Sequence, residues 1–377
     1  MAGRVENINK DILRQCREQI GLSLDEAGKK VPKISEMERG DQKPTFKQLD
    51  ALAEWYKVPR WVFISDHLPE KYRIDKSIPA FRRLADSNAD FFSDYKVRAL
   101  TARVERFRNM ILELHEDMGE AFRAFDPPDV SESATPFHAA QQVRNWLKVS
   151  NERYAFTGWK EKLEQKGVFV FMTGRYKGWS YIDKTLFRGL TIYHTRLPII
   201  IVNDADAKKA QSFTLFHELG HLLRKESTID YWEDYPNDVE TWCNELAGNV
   251  LMPAEQVISA VDKIDDLDAV KRIAGFFQVS PYACLVRLRQ MRMIDRNTYD
   301  IFEAEMKDEY RMLQKKLKES SGGPPRNRSL EVLNQYGRIY ATAVFQAYHN
   351  QEIGFHKLCR LFDLKNPSHV LELEGHI

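Results

Sequence analysis

The sequence predicts an α+β fold: a core built on a small mixed sheet and one central helix, with all-helical regions before and after it. Three observations carry this. Short β-branched or aromatic runs with the character of strands lie in the middle of the chain, at 167–172, 190–194 and 197–203. An amphipathic segment, FTLFHELGHLL over 213–223, follows the last of them directly. Elsewhere the apolar residues recur at helical spacing.

In chain order, residues 1–66 read as a compact helical unit. Ile12, Leu13, Cys16 and Ile20 form one stripe that ends at Gly21. Ser23 with Glu26 three positions on makes a capping box for the next helix. Leu49, Leu52, Ala53 and Trp55 mark another helix, stopped by Val58-Pro59. Residues 67–130 read as a connector, with Phe81, Arg82, Arg83, Leu84, Phe91 and Phe92, followed by a long helix over 95–122. Near its end His115 lies among Glu113, Glu116 and Asp117, which at this spacing is a solvated face and not a ligand cluster.

Asp126-Pro127-Pro128 marks the boundary to a third region, 131–319. Helices are expected over 136–147 and 157–166 before the strands, and over 260–279, 281–291 and 303–319 after them. Arg287, Arg289, Arg292 and Arg296 read as a charged helix face paired with Asp300, Glu303 and Glu305. Ser320 to Pro325 reads as a linker, and 326–377 as a small helical domain.

Chemistry concentrates at His217-Glu218-Leu219-Gly220-His221. Residues four apart lie above one another on a helix, so both imidazoles can face one metal ion. Glu218 sits about 100° round from His217, where it reaches a water beside the metal and not the metal itself. A catalytic zinc takes three protein ligands and keeps one position open. Candidates for the third lie in 240–253, ETWCNELAGNVLMP, a second helix stopped by Pro253. Glu240 and Asn244 share one face and Glu245 lies on another, so Glu240 and Glu245 are rivals; Cys243 is a further candidate. Ala247 and Gly248 would let this helix approach another closely.

The two segments together resemble the ImmA/IrrE-type metallopeptidases of bacteria and phages. Their pattern is a leucine-rich HELGH helix, then a glutamate, an A-N pair, F-A and a closing L-M-P. His217, Glu218, His221, Glu240, Asn244, Ala247, Leu251, Met252 and Pro253 stand at the matching positions, with Cys243 in place of the usual alanine and Leu246 in place of phenylalanine. The resemblance implies a zincin-like core, one catalytic Zn²⁺ held by His217, His221 and Glu240, Glu218 as general base, and Asn244 orienting a histidine. It also implies a narrow substrate: a helix-turn-helix repressor cut under stress or on induction of a mobile element, with derepression as the outcome. In zincins an edge strand receives extended substrate by β-addition. Residues 188–194 are the candidate strand, with Tyr193 and His194 as candidates for assisting the transition state or flanking the site; no oxyanion donor is assigned among Tyr193, His194 and Tyr231.

Residues 1–66 resemble an Xre-type helix-turn-helix through Arg17, Gly21-Leu22-Ser23, Ala27, Ile34-Ser35, Glu38-Arg39-Gly40, Pro44, Leu49, Leu52-Ala53 and Val58-Pro59. About four residues of the usual spacing are missing where the turn and the start of the recognition helix belong. Lys29, Lys30, Lys33 and Arg39 are the candidate phosphate contacts, but acidic and basic side chains balance in this region. A module that packs or binds protein is the expectation, ahead of direct DNA binding.

Composition sets outer limits. With 56 basic and 55 acidic residues, the net charge of +1 supplies no field that would gather polyanions. Four dispersed cysteines, Cys16, Cys243, Cys284 and Cys359, lack paired spacing and point to free thiols in a reducing compartment. The opening MAGRVENINK has no apolar core, and no run approaches the roughly 18 apolar residues of a membrane span, so a soluble cytoplasmic protein is expected. Two other classes of function fit these features: a DNA-binding regulator with a structural or sensory zinc, and a toxin or phage-defence effector.

Overall fold

A computed structural model describes residues 3–20, 22–56, 58–69, 72–73, 95–119, 122–131, 133–174, 180–183, 186, 188–230, 238–261, 263–319 and 326–377. Gly21, the aromatic and arginine runs at 81–84 and 91–92, Tyr231 and the linker at 320–325 lie outside them. The chain divides into two compact units, Met1–Met110 and Ile111–Ile377.

The first unit contains α1 (Lys10–Gln19), α2 (Leu24–Lys30), α3 (Ile34–Arg39), α4 (Phe46–Tyr56) and a 3₁₀ turn (Arg60–Ile64). Ile12, Leu13, Ala27, Ile34, Leu52 and Phe63 make its core. The Ser23–Glu26 capping box forms as read from the sequence. A buried ion pair ties α1 to α3, with Arg17 Nε 2.7 Å from Glu38 Oε1 and Arg17 Nη1 donating to the Leu22 carbonyl. α3 is six residues long, under two turns. A long helix, α5 (Tyr95–Asp117), carries the chain into the second unit and ends before Gly119, whose φ is 75°. His115 is no ligand there: its Nδ1 meets the Ile111 carbonyl at 2.9 Å and its ring packs on Phe122.

In the second unit, α6 (Pro136–Trp146) and α7 (Phe156–Glu164) precede the strands β1 (Phe169–Met172), β2 (Gly189–Ile192) and β3 (Ile199–Val202). There follow α8 (Lys208–Leu223), β4 (Thr228–Asp230), α9 (Asp238–Leu251), α10 (Ala254–Ala260), α11 (Leu267–Phe276), α12 (Pro281–Gln290), α13 (Arg296–Glu319), α14 (Arg328–His349), α15 (Phe355–Leu361) and α16 (Pro367–Glu374). Of the expected helix at 260–279 only Leu267–Phe276 is helical: α10 ends at Ala260, and Asp266 starts α11 afresh by capping the Ala269 N–H.

The sheet order is β1-β3-β2-β4, with β1 parallel to β3 and the other pairs antiparallel. Period-2 geometry sorts the side chains into two layers. Val170, Met172, Ile200 and Val202 pack with Leu215, Phe216 and Leu219 of α8. Phe169 and Phe171 point the other way and meet Tyr340 and Tyr336 of α14. The C-terminal helices, read from sequence as a domain of their own, therefore cover the second face of the sheet. This explains why β1, β2 and β3 are buried at every position.

The expectation that 188–194 is an edge strand is corrected here. β2 pairs with β3 on one side and β4 on the other, so its backbone groups are used within the sheet. Among the described residues β4 is the outermost strand on that side. Arg287 is also no solvated residue: it is buried, with Nε donating to the Met252 carbonyl and Nη2 to Asn249 Oδ1. With Arg144 Nη1, which donates to the Val250 carbonyl, it satisfies the carbonyls that end α9. The Arg296–Asp300 pairing is present at 3.8 Å. No described helix is long and apolar enough to cross a membrane.

Candidate metal centre

The start of α8 has no side-chain cap of its own. It is fixed instead by Asp204, whose Oδ1 accepts from Lys208 Nζ at 2.7 Å and Gln211 Nε2 at 3.1 Å. From Gln211 to Leu223 nearly the whole helix is buried, because the sheet lies on one side and α9 on another. His217, Glu218 and His221 are at most 3% exposed. Imidazoles and a carboxylate in such a place need partners.

Glu240, in the first turn of α9, supplies them. Its Oε2 lies 3.1 Å from His217 Nε2 and its Oε1 lies 3.4 Å from His221 Nε2; the two Nε2 atoms are 3.2 Å apart. Four ligands arranged tetrahedrally at roughly 2.0–2.1 Å from zinc are separated by about 3.3 Å, which is the spacing of the two Nε2 atoms and of each from one of the two Glu240 oxygens. The donor set, two nitrogens and one carboxylate, is also that of a catalytic zinc. His217, His221 and Glu240 are the group of described residues that can hold a metal ion together. Glu245 is outside it and acts electrostatically on Arg287. Burial pushes the Cys243 thiol far up, helped by the charges of Glu240, Glu218 and Glu226, so the thiolate a metal would need is disfavoured. Burial also pushes Glu240 up, but the His217 hydrogen bond and the two imidazoles outweigh it and hold the carboxyl below its ordinary range.

Both histidines are backed on the far side of the ring. Asn244 Oδ1 lies 3.0 Å from His217 Nδ1, the arrangement implied by the resemblance. Glu226 Oε2 lies 3.3 Å from His221 Nδ1. An acceptor at Nδ1 holds the proton on that nitrogen, so Nε2 is the ring nitrogen each histidine would offer to a metal.

Glu218 points at β2. Thr191 Oγ1 donates to Glu218 Oε2 at 2.6 Å. A Cβ built on Gly189 would overlap Glu218 Oε1 and come within 2.7 Å of Thr214 Cγ2. Glycine at 189 is therefore what lets the carboxylate lie against the strand. The close helix approach expected at Ala247 and Gly248 occurs one turn away. A Cβ on Gly220 would meet Cys243 Sγ at 2.8 Å, whereas one on Gly248 would be 3.8 Å from Arg287.

Tyr193 and His194 are half-buried just after β2. The Tyr193 N–H donates to Ser227 Oγ and its ring packs on the core, while His194 is not in the ligand group. Lys29, Lys30, Lys33 and Arg39 are exposed on the first unit. Lys33 lies 3.7 Å from Glu36, Arg39 lies 3.0 Å from Asp41, and Lys30 sits over the Trp55 ring. Sequence reading missed Gly189, Thr191 and Glu226. A lone glycine opening a strand was a usable signal of close approach; nothing local distinguishes Glu226 from its neighbours.

Residues 180–289 match the M78 peptidase family, in the part described as the IrrE N-terminal-like domain. No match is found among curated proteins. The matched span runs from just before β2 to the end of α12 and so contains every residue of the cluster. An HExxH helix with a glutamate from the next helix on a small mixed sheet makes this a metallopeptidase site of the gluzincin kind.

Proposed function

We propose that the chain is a zinc-dependent endopeptidase that cleaves one specific protein partner, a helix-turn-helix repressor, and thereby relieves repression. The observation that carries the zinc-peptidase reading is the cluster of His217, His221 and Glu240 ligand atoms, with Glu218 following His217 in the same helix and its carboxylate held by Thr191. Zinc held by those three residues would supply Lewis acidity, acidifying water and polarising a peptide carbonyl. Glu218 then takes a proton from the attacking water on its carboxylate and passes it to the leaving nitrogen as the C–N bond breaks. Thr191 keeps Glu218 in one orientation through the transfer. Asn244 keeps His217 in the liganding tautomer. With β2 paired on both sides, the outer strand on its side of the sheet is β4, and β4 is the strand that would receive an extended substrate.

The repressor as substrate rests on the resemblance of the two site segments to ImmA/IrrE-type peptidases. In the first unit, the local pairing of Lys33 and Arg39 with acids supports recognition of a protein over a grip on phosphates. The test is incubation of the full chain with the repressor encoded beside it, with and without a chelator. Cleavage that needs zinc and is lost in Glu218→Gln is expected, with a fall of about 10²–10⁴-fold for loss of a general base. Cleavage by Glu218→Gln at the wild-type rate contradicts the mechanism.

A further inference from the structure

The end of α8 is built in a way that brings a second acid to the metal centre. Lys225 adopts the left-handed conformation at φ 59°, and two hydrogen bonds close the helix there. The Lys225 N–H donates to the Leu222 carbonyl at 3.0 Å, and the Glu226 N–H donates to the His221 carbonyl at 2.9 Å. This is a Schellman closure, in which the residue after the left-handed one bonds back five positions. Here the residue it bonds back to is a zinc-site histidine.

The same two residues also meet through their side chains, with Glu226 Oε2 3.3 Å from His221 Nδ1. The stretch on either side of Glu226 is pinned. Arg224 lies over the Trp242 ring of α9. Ser227 is buried and accepts from the Tyr193 N–H, and Thr228 opens β4 opposite Thr191. Glu226 itself keeps solvent access, its side chain being 38% exposed.

We propose that Glu226 is a positioning residue for the metal: through its carboxylate it fixes the His221 tautomer and makes that imidazole a stronger ligand. Asn244 does the first of these for His217 but, being neutral, contributes less to the second. The two histidines are thus backed unequally, one by an amide from α9 and one by a carboxylate delivered by the end of their own helix. A carboxylate behind a liganding histidine raises its basicity, and removal of such a partner lowers metal affinity about 10–100-fold. The inference rests on the zinc-site reading but not on any substrate.

The test measures zinc affinity of the full chain by competition with a chromophoric chelator, for wild type, Glu226→Ala, Glu226→Gln and Glu240→Ala, together with the melting temperature of each metal-free protein. Expected are a fall of about 10–100-fold for Glu226→Ala, recovery of part of it by Glu226→Gln, which can still accept from Nδ1, and unchanged metal-free melting. Visible spectra of the Co²⁺-loaded proteins should shift in Glu226→Ala and return towards wild type in Glu226→Gln. Should Glu226→Ala fail to fold, Glu226→Gln against Glu226→Lys makes the same comparison, since lysine cannot accept from Nδ1. Wild-type affinity in Glu226→Ala or Glu226→Lys, or an affinity loss matched by an equal loss of metal-free stability, overturns the proposal while Glu240→Ala still losing zinc leaves the centre intact. Absence of zinc binding in the wild type removes the centre itself.

Discussion

Two clusters of buried ionisable groups flank the same sheet, and they have opposite characters. Beside β2, His217, His221 and Glu240 bring one ligand atom each within 4.8 Å of the others. Beside β1, Lys160 and Glu164 of α7 are inserted into a break in α14, where Gly337 takes φ 80° and ψ 164°. That break separates the Asn334 carbonyl from the Arg338 N–H, which an unbroken helix would join. Lys160 Nζ donates to the Asn334 carbonyl at 2.6 Å, and Glu164 Oε2 accepts from the Arg338 N–H at 3.0 Å. The ion pair takes the place of the missing helical hydrogen bond.

The acids differ accordingly. Burial drives Glu164 above its ordinary range despite Lys160 and the Arg338 N–H, and burial drives Lys160 down despite Glu164. Glu240 is instead held low by the imidazoles that outweigh its burial. Burial and a shifted pKa thus mark both places; the grouping of two imidazoles with a carboxylate marks one of them as a candidate metal centre. The comparison predicts that the two can be damaged independently.

The largest effect is expected from Glu164→Ala, which leaves Lys160 buried and unpaired. It should lower unfolding free energy by about 3–5 kcal/mol in a denaturant titration, with zinc affinity of the folded protein unchanged. Gly337→Ala should cost about 3 kcal/mol, because its backbone conformation is nearly exclusive to glycine and a Cβ would overlap Glu164 Oε1 and sit 3.1 Å from the Val170 carbonyl. A variant that folds as well as wild type would show that the kink is not needed. Thr191→Val removes a hydroxyl bonded to a charged group; it should slow hydrolysis about 10-fold or more with zinc content unchanged, and Thr191→Ser should restore the rate. Loss of zinc in Thr191→Val would contradict the assignment to Glu218. The smallest change, in the other compact unit, is Ser23→Ala, which should cost about 1 kcal/mol by calorimetry and leave both clusters as they are.

The site was more legible in the sequence than the fold around it, for a physical reason. The spacing of His217 and His221 is a property of one helix, and so is the face shared by Glu240 and Asn244. Which carboxylate meets the histidines depends on how α9 crosses α8, and that crossing is set at Gly220 against Cys243, a contact no single helix displays. Residues 188–194 have the pattern of a strand wherever they sit in a sheet; only the pairing with β4 shows that they are internal. Arg287 reads as one of four surface arginines until Met252 and Asn249 are brought beside it. The C-terminal helices follow a Gly-Pro-rich stretch, and nothing local in them reveals that Tyr336 and Tyr340 stack on β1.

Metal analysis tests the central claim most directly. The full chain, purified with zinc supplied and then dialysed, should carry one zinc per molecule. Glu240→Ala should carry none and Glu245→Ala should carry as much as wild type. A wild-type protein that stays metal-free, or zinc lost in Glu245→Ala and kept in Glu240→Ala, would contradict the account.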